Sequence, residues 1–148
     1  MFHFELACGV ERYTKTDMVC LITGASWLTL TQMIASIFGI SRDDKRLNYV
    51  KKLAQTLGLQ NNIVFKTAML LSEMLALYRA HDVLSLPSYI EAIGLVVLEA
   101  MSFGRPAFTS DTVGANVYVK DGVTGFIFTT GDINSLAEKL RNVVIKII

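Results

Sequence analysis

The hydrophobic and polar positions along the chain follow two alternating periods. Apolar residues three and four positions apart predict helices, whereas short apolar runs closed by glycine or proline predict strands. Helices are predicted at residues 17–28, 42–57, 72–80 and 94–103, and from Asp132 to Val144. Strands are predicted at residues 33–38, 62–65, 82–86, 106–109 and 124–128. Because strands and helices take turns with short connections, the sequence predicts an α/β fold with a parallel sheet flanked by helices, in three layers.

Composition agrees with one domain that has a thick core. The chain has 148 residues, of which 52% are hydrophobic and 18% are charged, so residues 1–148 are interpreted as a single domain. A net charge of +1 argues against a nucleic-acid binder, which is normally far more basic. Cys8 and Cys20 match neither a disulfide framework nor a metal-ligand spacing, which indicates free thiols in a reducing, cytoplasmic setting.

The stretch from Met18 to Ser41 contains no charged residue and leaves two interpretations open. It is long enough to span a bilayer. Polar residues and two glycines interrupt it, however, and a buried helix followed by a buried strand would be equally free of charge.

The stretch with the clearest candidate chemistry is residues 86–101. A predicted strand ends at Pro87, a loop carries Glu91, and a helix begins near Gly94. Ligands of an open parallel sheet bind at the carboxyl ends of its strands, next to helix N-termini. The first amides of a helix lack intrahelical partners and lie at the positive end of its dipole, and glycine lets a ligand come close to the backbone. This place therefore suits a phosphate.

Two glutamates flank the predicted helix start. Glu99 has only apolar neighbours in the sequence, so its carboxylate needs a polar partner if the helix is covered. It either accepts hydrogen bonds from ribose hydroxyls or lies at the solvent edge of a partly exposed helix. Glu91 is either an exposed loop acid or a cleft residue that binds sugar hydroxyls and supports positive charge on an anomeric carbon.

Together these residues resemble the donor-binding signature of the group 1 (family 4) retaining glycosyltransferases, which has two glutamates separated by seven residues. The matching residues are Pro87-Ser88, Glu91, Gly94-Leu95, Glu99-Ala100-Met101, Gly104 and Pro106. The likeness extends to residues 57–59 and 64–65 upstream and to 113–114 and 121–125 downstream, and it covers roughly residues 42–140.

The resemblance implies the C-terminal half of a GT-B enzyme, in which two Rossmann-like domains face each other across a cleft. Glu91 would be the catalytic residue that contacts the transferred sugar, and Glu99 would bind the ribose. The base would lie near the loop after Phe65. The diphosphate would be bound by the backbone amides of Ile93, Gly94 and Leu95 and by the side-chain cation of Lys15.

The same resemblance implies a reaction. A hexose would move from a nucleoside-diphosphate sugar to an acceptor hydroxyl with retention of the anomeric configuration, without a bound metal or other cofactor. The acceptor, a sugar or a lipid, would bind to an N-terminal domain for which 148 residues leave no room. The chain alone is therefore expected to bind a nucleoside diphosphate weakly and to transfer no sugar. Peripheral contact with the cytoplasmic membrane surface is compatible with this activity.

The sequence departs from the family pattern at four places. The first is the diphosphate-binding arginine expected before Lys15, whose loss would weaken binding by ~1.5–3 kcal/mol. Gly9 or Val10 stands where the family has this arginine, with Arg12 nearby. Ala115 replaces a second family glycine, and Thr67 replaces a further one. Tyr118 or one of its neighbours replaces a family acid.

Two other functions remain open. A nucleotide-sugar epimerase shares the two-domain architecture and would form an epimer without any acceptor. A non-catalytic binding or membrane-docking module is suggested by the uncharged Met18–Ser41 stretch and by the missing arginine.

Overall fold

The computed structural model of the protein describes residues 19–24, 33–38, 44–66 and 69–147. Six strands in these ranges form one sheet, with the order β3-β2-β1-β4-β5-β6. The strands are β1 Val19–Gly24, β2 Met33–Phe38, β3 Ile63–Phe65, β4 Val83–Leu86, β5 Ala107–Ser110 and β6 Gly125–Phe128. The helices are α1 Asp44–Thr56, α2 Leu71–Ala80, α3 Leu95–Ser102 and α4 Ile133–Ile147, with a 3-10 helix at Gly114–Tyr118.

Most of the sheet is parallel, as predicted. Strands β4, β5 and β6 are parallel neighbours, and so are β2 and β3. Strand β1 runs antiparallel to both β2 and β4, which the sequence did not predict. The connection between β1 and β2, residues 25–32, is shorter than the roughly dozen residues that a parallel crossover needs, so these two strands can only be antiparallel neighbours.

The predicted helix at residues 17–28 is wrong where the structure describes it, because Val19–Gly24 is strand β1. Val19, Ile22 and Thr23 are β-branched, and such residues favour strands over helices. The predicted strand Met33–Phe38 is confirmed. In its described parts the uncharged stretch is therefore two paired strands of the sheet. Within the part of the chain that the structure describes, no helix is both long and apolar enough to cross a membrane.

Helices cover both faces of the sheet, which explains the high apolar content. One face packs against α1 and α4, and the other against α2, α3 and the 3-10 helix. Neighbouring residues of a strand point to opposite faces, so Val83 belongs to the first cluster and Leu84 to the second. Their buried members are Val50, Ala54, Val83, Phe108, Phe128, Leu136, Leu140 and Val143 on the first face, and Tyr78, Leu84, Leu86, Val97, Ala100, Ala107, Val113, Ala115 and Val119 on the second.

The remaining predicted helices and strands agree with the structure to within three residues at each end. Helix α1 ends at Thr56 and is followed by Gly58, whose φ of 69° is left-handed, and the Leu59 amide donates to the Ala54 carbonyl at 2.8 Å. At the start of α4, Asp132 Oδ1 accepts from the amides of Asn134 (2.9 Å) and Ser135 (3.1 Å) and so caps the helix.

Candidate nucleotide-sugar site

The candidate site lies where β4 ends and α3 begins, at the carboxyl edge of the parallel strands. Gly94 directly precedes α3, has a left-handed φ of 72° and is buried. A Cβ atom at this position would lie 3.0 Å from Val113 Cγ1 and 3.3 Å from Leu86 Cδ2. The sequence suggested that glycine is needed so that a ligand can approach. The structure gives another reason, because the neighbouring protein atoms already occupy the space a side chain would need.

Glu91 folds back onto the start of α3. Its Oε1 accepts hydrogen bonds from the amides of Ile93 (3.1 Å) and Gly94 (3.0 Å). These are two of the three amides that the family resemblance assigns to the diphosphate. The carboxylate of Glu91, itself half-buried, therefore lies against the positive end of the helix dipole.

A second loop holds the Glu91 segment in place. The Gly114 amide donates to the Glu91 carbonyl at 2.8 Å, and Glu91 pairs with Val113 as an isolated parallel bridge. A Cβ atom on Gly114 would lie 1.9 Å from the Ala92 carbonyl oxygen, so any other residue would push the two loops apart. Ala115, which replaces the second family glycine, is buried in the core. The first glycine is thus the one that this contact between loops requires.

Polar side chains link the loops after β4, β5 and β6. The Ser88 carbonyl accepts from Ser110 Oγ and from Thr112 Oγ1, the latter at 3.1 Å. Asp111 Oδ1 accepts from the hydroxyl of Thr130 and, at 3.1 Å, from its amide. The Thr130 hydroxyl and amide lower the pKa of Asp111, so the carboxyl stays ionised. These bonds fix the three loops that border the candidate site.

Glu99 lies one turn into α3 and is half-buried. Its Oε2 accepts a hydrogen bond of 2.8 Å from the hydroxyl of Tyr78, which belongs to α2 and is fully buried. The sequence predicted that this carboxylate would need a polar partner. The structure supplies one from the protein itself, the hydroxyl of Tyr78.

The start of α3 is also surrounded by exposed apolar side chains. Ile93 is 58% exposed and Leu95 is 61% exposed. Tyr118, which with its neighbours lies where the family has an acid, is exposed as well. The site therefore has charged and polar groups at its base and an apolar rim.

Some of the predicted site lies outside the described residues. Lys15 and the segment Gly9–Arg12 are among these, and so is Thr67, near which the base was expected. The structure brings Glu91, Ile93, Gly94 and Leu95 together at one helix start and places Glu99 one turn further along. In the described ranges, no three His, Cys, Asp or Glu residues form a potential metal cluster. The absence of a metal from the reaction stays a prediction.

Sequence reasoning missed two residues of this region. One is Tyr78, since a tyrosine rather than a phenylalanine at an inward position indicates a buried hydroxyl that needs a partner. Gly114 was recognised only as part of a motif, since its contact with Ala92 depends on how two loops meet.

Parallel strands with a helix start at their carboxyl edge define a Rossmann-like domain, and two carboxylates lie around the first turn of that helix. Comparison with known proteins identifies the family within this class. The family model described as glycosyl transferases group 1 matches residues 9–146, and the chain belongs to this family.

Individual relatives agree with this assignment. The D-inositol 3-phosphate glycosyltransferase of Mycolicibacterium smegmatis is 33% identical over 93 residues, which is 63% of this chain and 21% of that protein. The sucrose-phosphate synthase of Thermosynechococcus elongatus has a TM-score of 0.65 and 29% identity, over 74% of this chain and 28% of the other. Anabaena HepE, solved in complex with UDP-glucose, has a TM-score of 0.64 and 27% identity, over 70% of this chain and 28% of the other.

These findings confirm the predicted family and the GT-B type of fold, with this chain corresponding to its C-terminal domain. The chain spans about a fifth of the length of the curated relatives that it matches.

Proposed function

We propose that this chain is the donor-binding domain of a retaining, metal-independent hexosyltransferase, which takes a hexose from a nucleoside-diphosphate sugar and passes it to an acceptor hydroxyl. Family membership supports the transferase class. The likeness to HepE, solved with UDP-glucose, supports a nucleotide sugar as the donor.

One observation carries the proposal. The amides of Ile93 and Gly94 converge on a single anionic oxygen, Oε1 of Glu91, at 3.1 and 3.0 Å. Amides that hold one carboxylate oxygen at these distances have the geometry to hold a phosphate oxygen, and the helix dipole favours the negative charge. The diphosphate of the donor is the ligand that matches this arrangement.

Donor binding then requires Glu91 to move. Its carboxylate occupies the amides that the diphosphate needs, and two negative groups cannot share them. We infer that Glu91 leaves the helix start when the diphosphate arrives and turns to the hydroxyls of the transferred sugar. There its charge would stabilise the positive anomeric carbon of the transition state.

Glu99 would bind the ribose in the same complex. It lies one turn beyond the diphosphate-binding amides. A carboxylate there can accept hydrogen bonds from ribose hydroxyls, as acidic residues do in dinucleotide folds.

A thermal-shift screen with UDP, GDP and ADP, each with and without an attached hexose, tests donor binding. At least one nucleotide should raise the unfolding temperature of the chain, because a ligand that binds only the folded state stabilises it. Glu99→Ala should abolish the shift. Glu138→Ala, which removes an exposed glutamate from α4 on the other face of the sheet, should leave it unchanged. No shift with any nucleotide, or equal loss in both variants, would contradict the proposal.

Sugar transfer is tested separately. We expect the 148-residue chain to bind the donor weakly but to form no glycoside, because it spans only about a fifth of its curated relatives. Incubation with the nucleotide sugar found in the screen and a range of acceptor hydroxyls, followed by mass spectrometry, measures this. A glycoside formed by the chain alone would contradict the expectation. Formation of an epimer without an acceptor would favour the epimerase.

A further inference from the structure

Tyr78 of α2 is held in place by contacts with the end of α3 and the segment after it. It belongs to α2, has no exposed surface, and its ring stacks on Phe103 with centroids 5.8 Å apart and an interplanar angle of 20°. Its carbonyl accepts a hydrogen bond of 3.0 Å from Arg105 Nε, which comes from the segment that follows α3. Both the ring and the backbone of Tyr78 are thus fixed relative to α3.

The Tyr78 hydroxyl is therefore a fixed donor. It donates to Glu99 Oε2 at 2.8 Å. Burial, the hydrogen bond to Glu99 and the charge of Glu99 all raise the pKa of Tyr78 well above its ordinary value, so the hydroxyl keeps its proton at neutral pH.

This donor holds only one of the two carboxylate oxygens of Glu99. Among the described residues, no hydrogen bond engages the other oxygen, Oε1. A glutamate side chain has several rotamers of similar energy, and a bond to one oxygen restricts the direction of the other.

We propose that Tyr78 is a positioning residue for the donor nucleotide, whose hydroxyl holds Glu99 so that its second carboxylate oxygen accepts from the ribose. This inference rests on the proposed function, since it needs a bound nucleotide. A purely structural role is the alternative, in which Tyr78 fills the core and Glu99 only satisfies its hydroxyl.

Tyr78→Phe separates the two roles, because phenylalanine keeps the ring and its contact with Phe103 and removes only the hydroxyl. The probes are UDP, GDP and ADP, each beside its 2′,3′-dideoxy form, measured by isothermal titration calorimetry. The variant should bind the ribose form of the recognised nucleotide roughly three- to tenfold more weakly than wild type, as loss of one hydrogen bond predicts. Its affinity for the dideoxy form should stay within about twofold, because Glu99 has no ribose hydroxyl to meet there.

Two controls complete the experiment. Tyr49→Phe makes the same chemical change at an exposed tyrosine of α1 and should alter neither affinity. In a Glu99→Gln background, Tyr78→Phe should change the logarithm of the dissociation constant for the ribose form by less than about half as much as it does in wild type. The reason is that the two residues act through one contact.

The outcomes are distinguishable. If wild type binds no nucleoside diphosphate, the proposed function fails and this inference fails with it. If wild type binds and Tyr78→Phe weakens the ribose and dideoxy forms equally, or weakens neither, the positioning role is wrong and the proposed function stands. A loss confined to the ribose form supports the positioning role.

Discussion

Gly94 combines two constraints that together exclude a side chain. Its φ is left-handed, and the space where a Cβ atom would lie is bounded by Val113 and Leu86. Gly104 has nearly the same φ, 70°, but nothing lies within 4 Å of a Cβ atom there. Comparing substitutions at the two glycines therefore distinguishes the cost of a left-handed backbone from the cost of a steric clash.

Alanine at each position tests this difference. Gly104→Ala should lower the free energy of unfolding by ~1–2 kcal/mol, the cost of a left-handed L-residue. Gly94→Ala should lose the same amount and a further ~1–3 kcal/mol, because its methyl group would crowd Val113. Urea denaturation of both variants measures the difference. Equal losses would mean that the contact with Val113 relaxes without cost.

The sequence predicted the need for a partner at Glu99 but not the partner itself. Runs of apolar neighbours on both sides indicated a covered helix, and the structure confirms a half-buried carboxylate with a hydrogen bond. Tyr78 lies 21 residues away in another helix. Their contact depends on how α2 and α3 pack, which no local pattern encodes.

At the level of helices and strands, periodicity predicted a helix correctly where the helix has one buried stripe or a capping residue. Helix α4 has both, since Leu136 and Leu140 are buried and Asp132 caps its start. Periodicity failed at Val19–Gly24, where a short apolar run fits a buried helix as well as a strand. β-branched residues were the signal that could have decided the choice.

The cap of α4 predicts a measurable stability difference. Asp132 Oδ1 accepts from the amides of Asn134 and Ser135, which lack intrahelical partners. Asp132→Ala should lower the free energy of unfolding by ~0.5–2 kcal/mol, and Asp132→Asn should lose much less, since asparagine caps about as well. Chemical denaturation of the two variants measures this. An alanine variant as stable as wild type would show that water replaces the cap.

His81 at the end of α2 gives a pH dependence. Burial lowers the pKa of His81, which outweighs the opposite effects of its bond to Leu77 and of the charge of Asp82, while Arg105 lowers the pKa further. Above pH ~6.5 the residue is neutral in both the folded and unfolded states. As the pH falls below this value, the unfolded state takes up a proton first, so the folded state loses stability.

The test compares wild type with His81→Gln, which can still donate to the Leu77 carbonyl. Unfolding temperatures measured between pH 7.5 and 5 should fall more steeply for wild type than for the variant. Parallel curves would show that His81 titrates alike in both states. Carboxylates such as Asp111, whose pKa is lowered, lose their charge in a more acidic range and do not interfere.

At the scale of the whole molecule, the alternation of strands and helices predicted the α/β class and the parallel half of the sheet, from β4 to β6. It did not predict the antiparallel β1, because residues 17–28 were predicted to form a helix and no strand was expected there. The candidate site lies in the part that was predicted correctly. Its loops are joined by bonds between residues distant in the sequence, such as Ser88 with Ser110 and Thr112, and these needed the structure.

The proposed function depends on binding of the donor's diphosphate by the amides at the start of α3. Amide chemical shifts of the ¹⁵N-labelled chain, recorded during titration with the nucleoside diphosphate found in the screen and with the corresponding nucleoside, test it most directly. The diphosphate should produce its largest shifts at Ile93, Gly94 and Leu95, and the nucleoside, which lacks phosphate, should leave these three amides nearly unchanged. Shifts centred elsewhere, or equal shifts with both compounds, would contradict it.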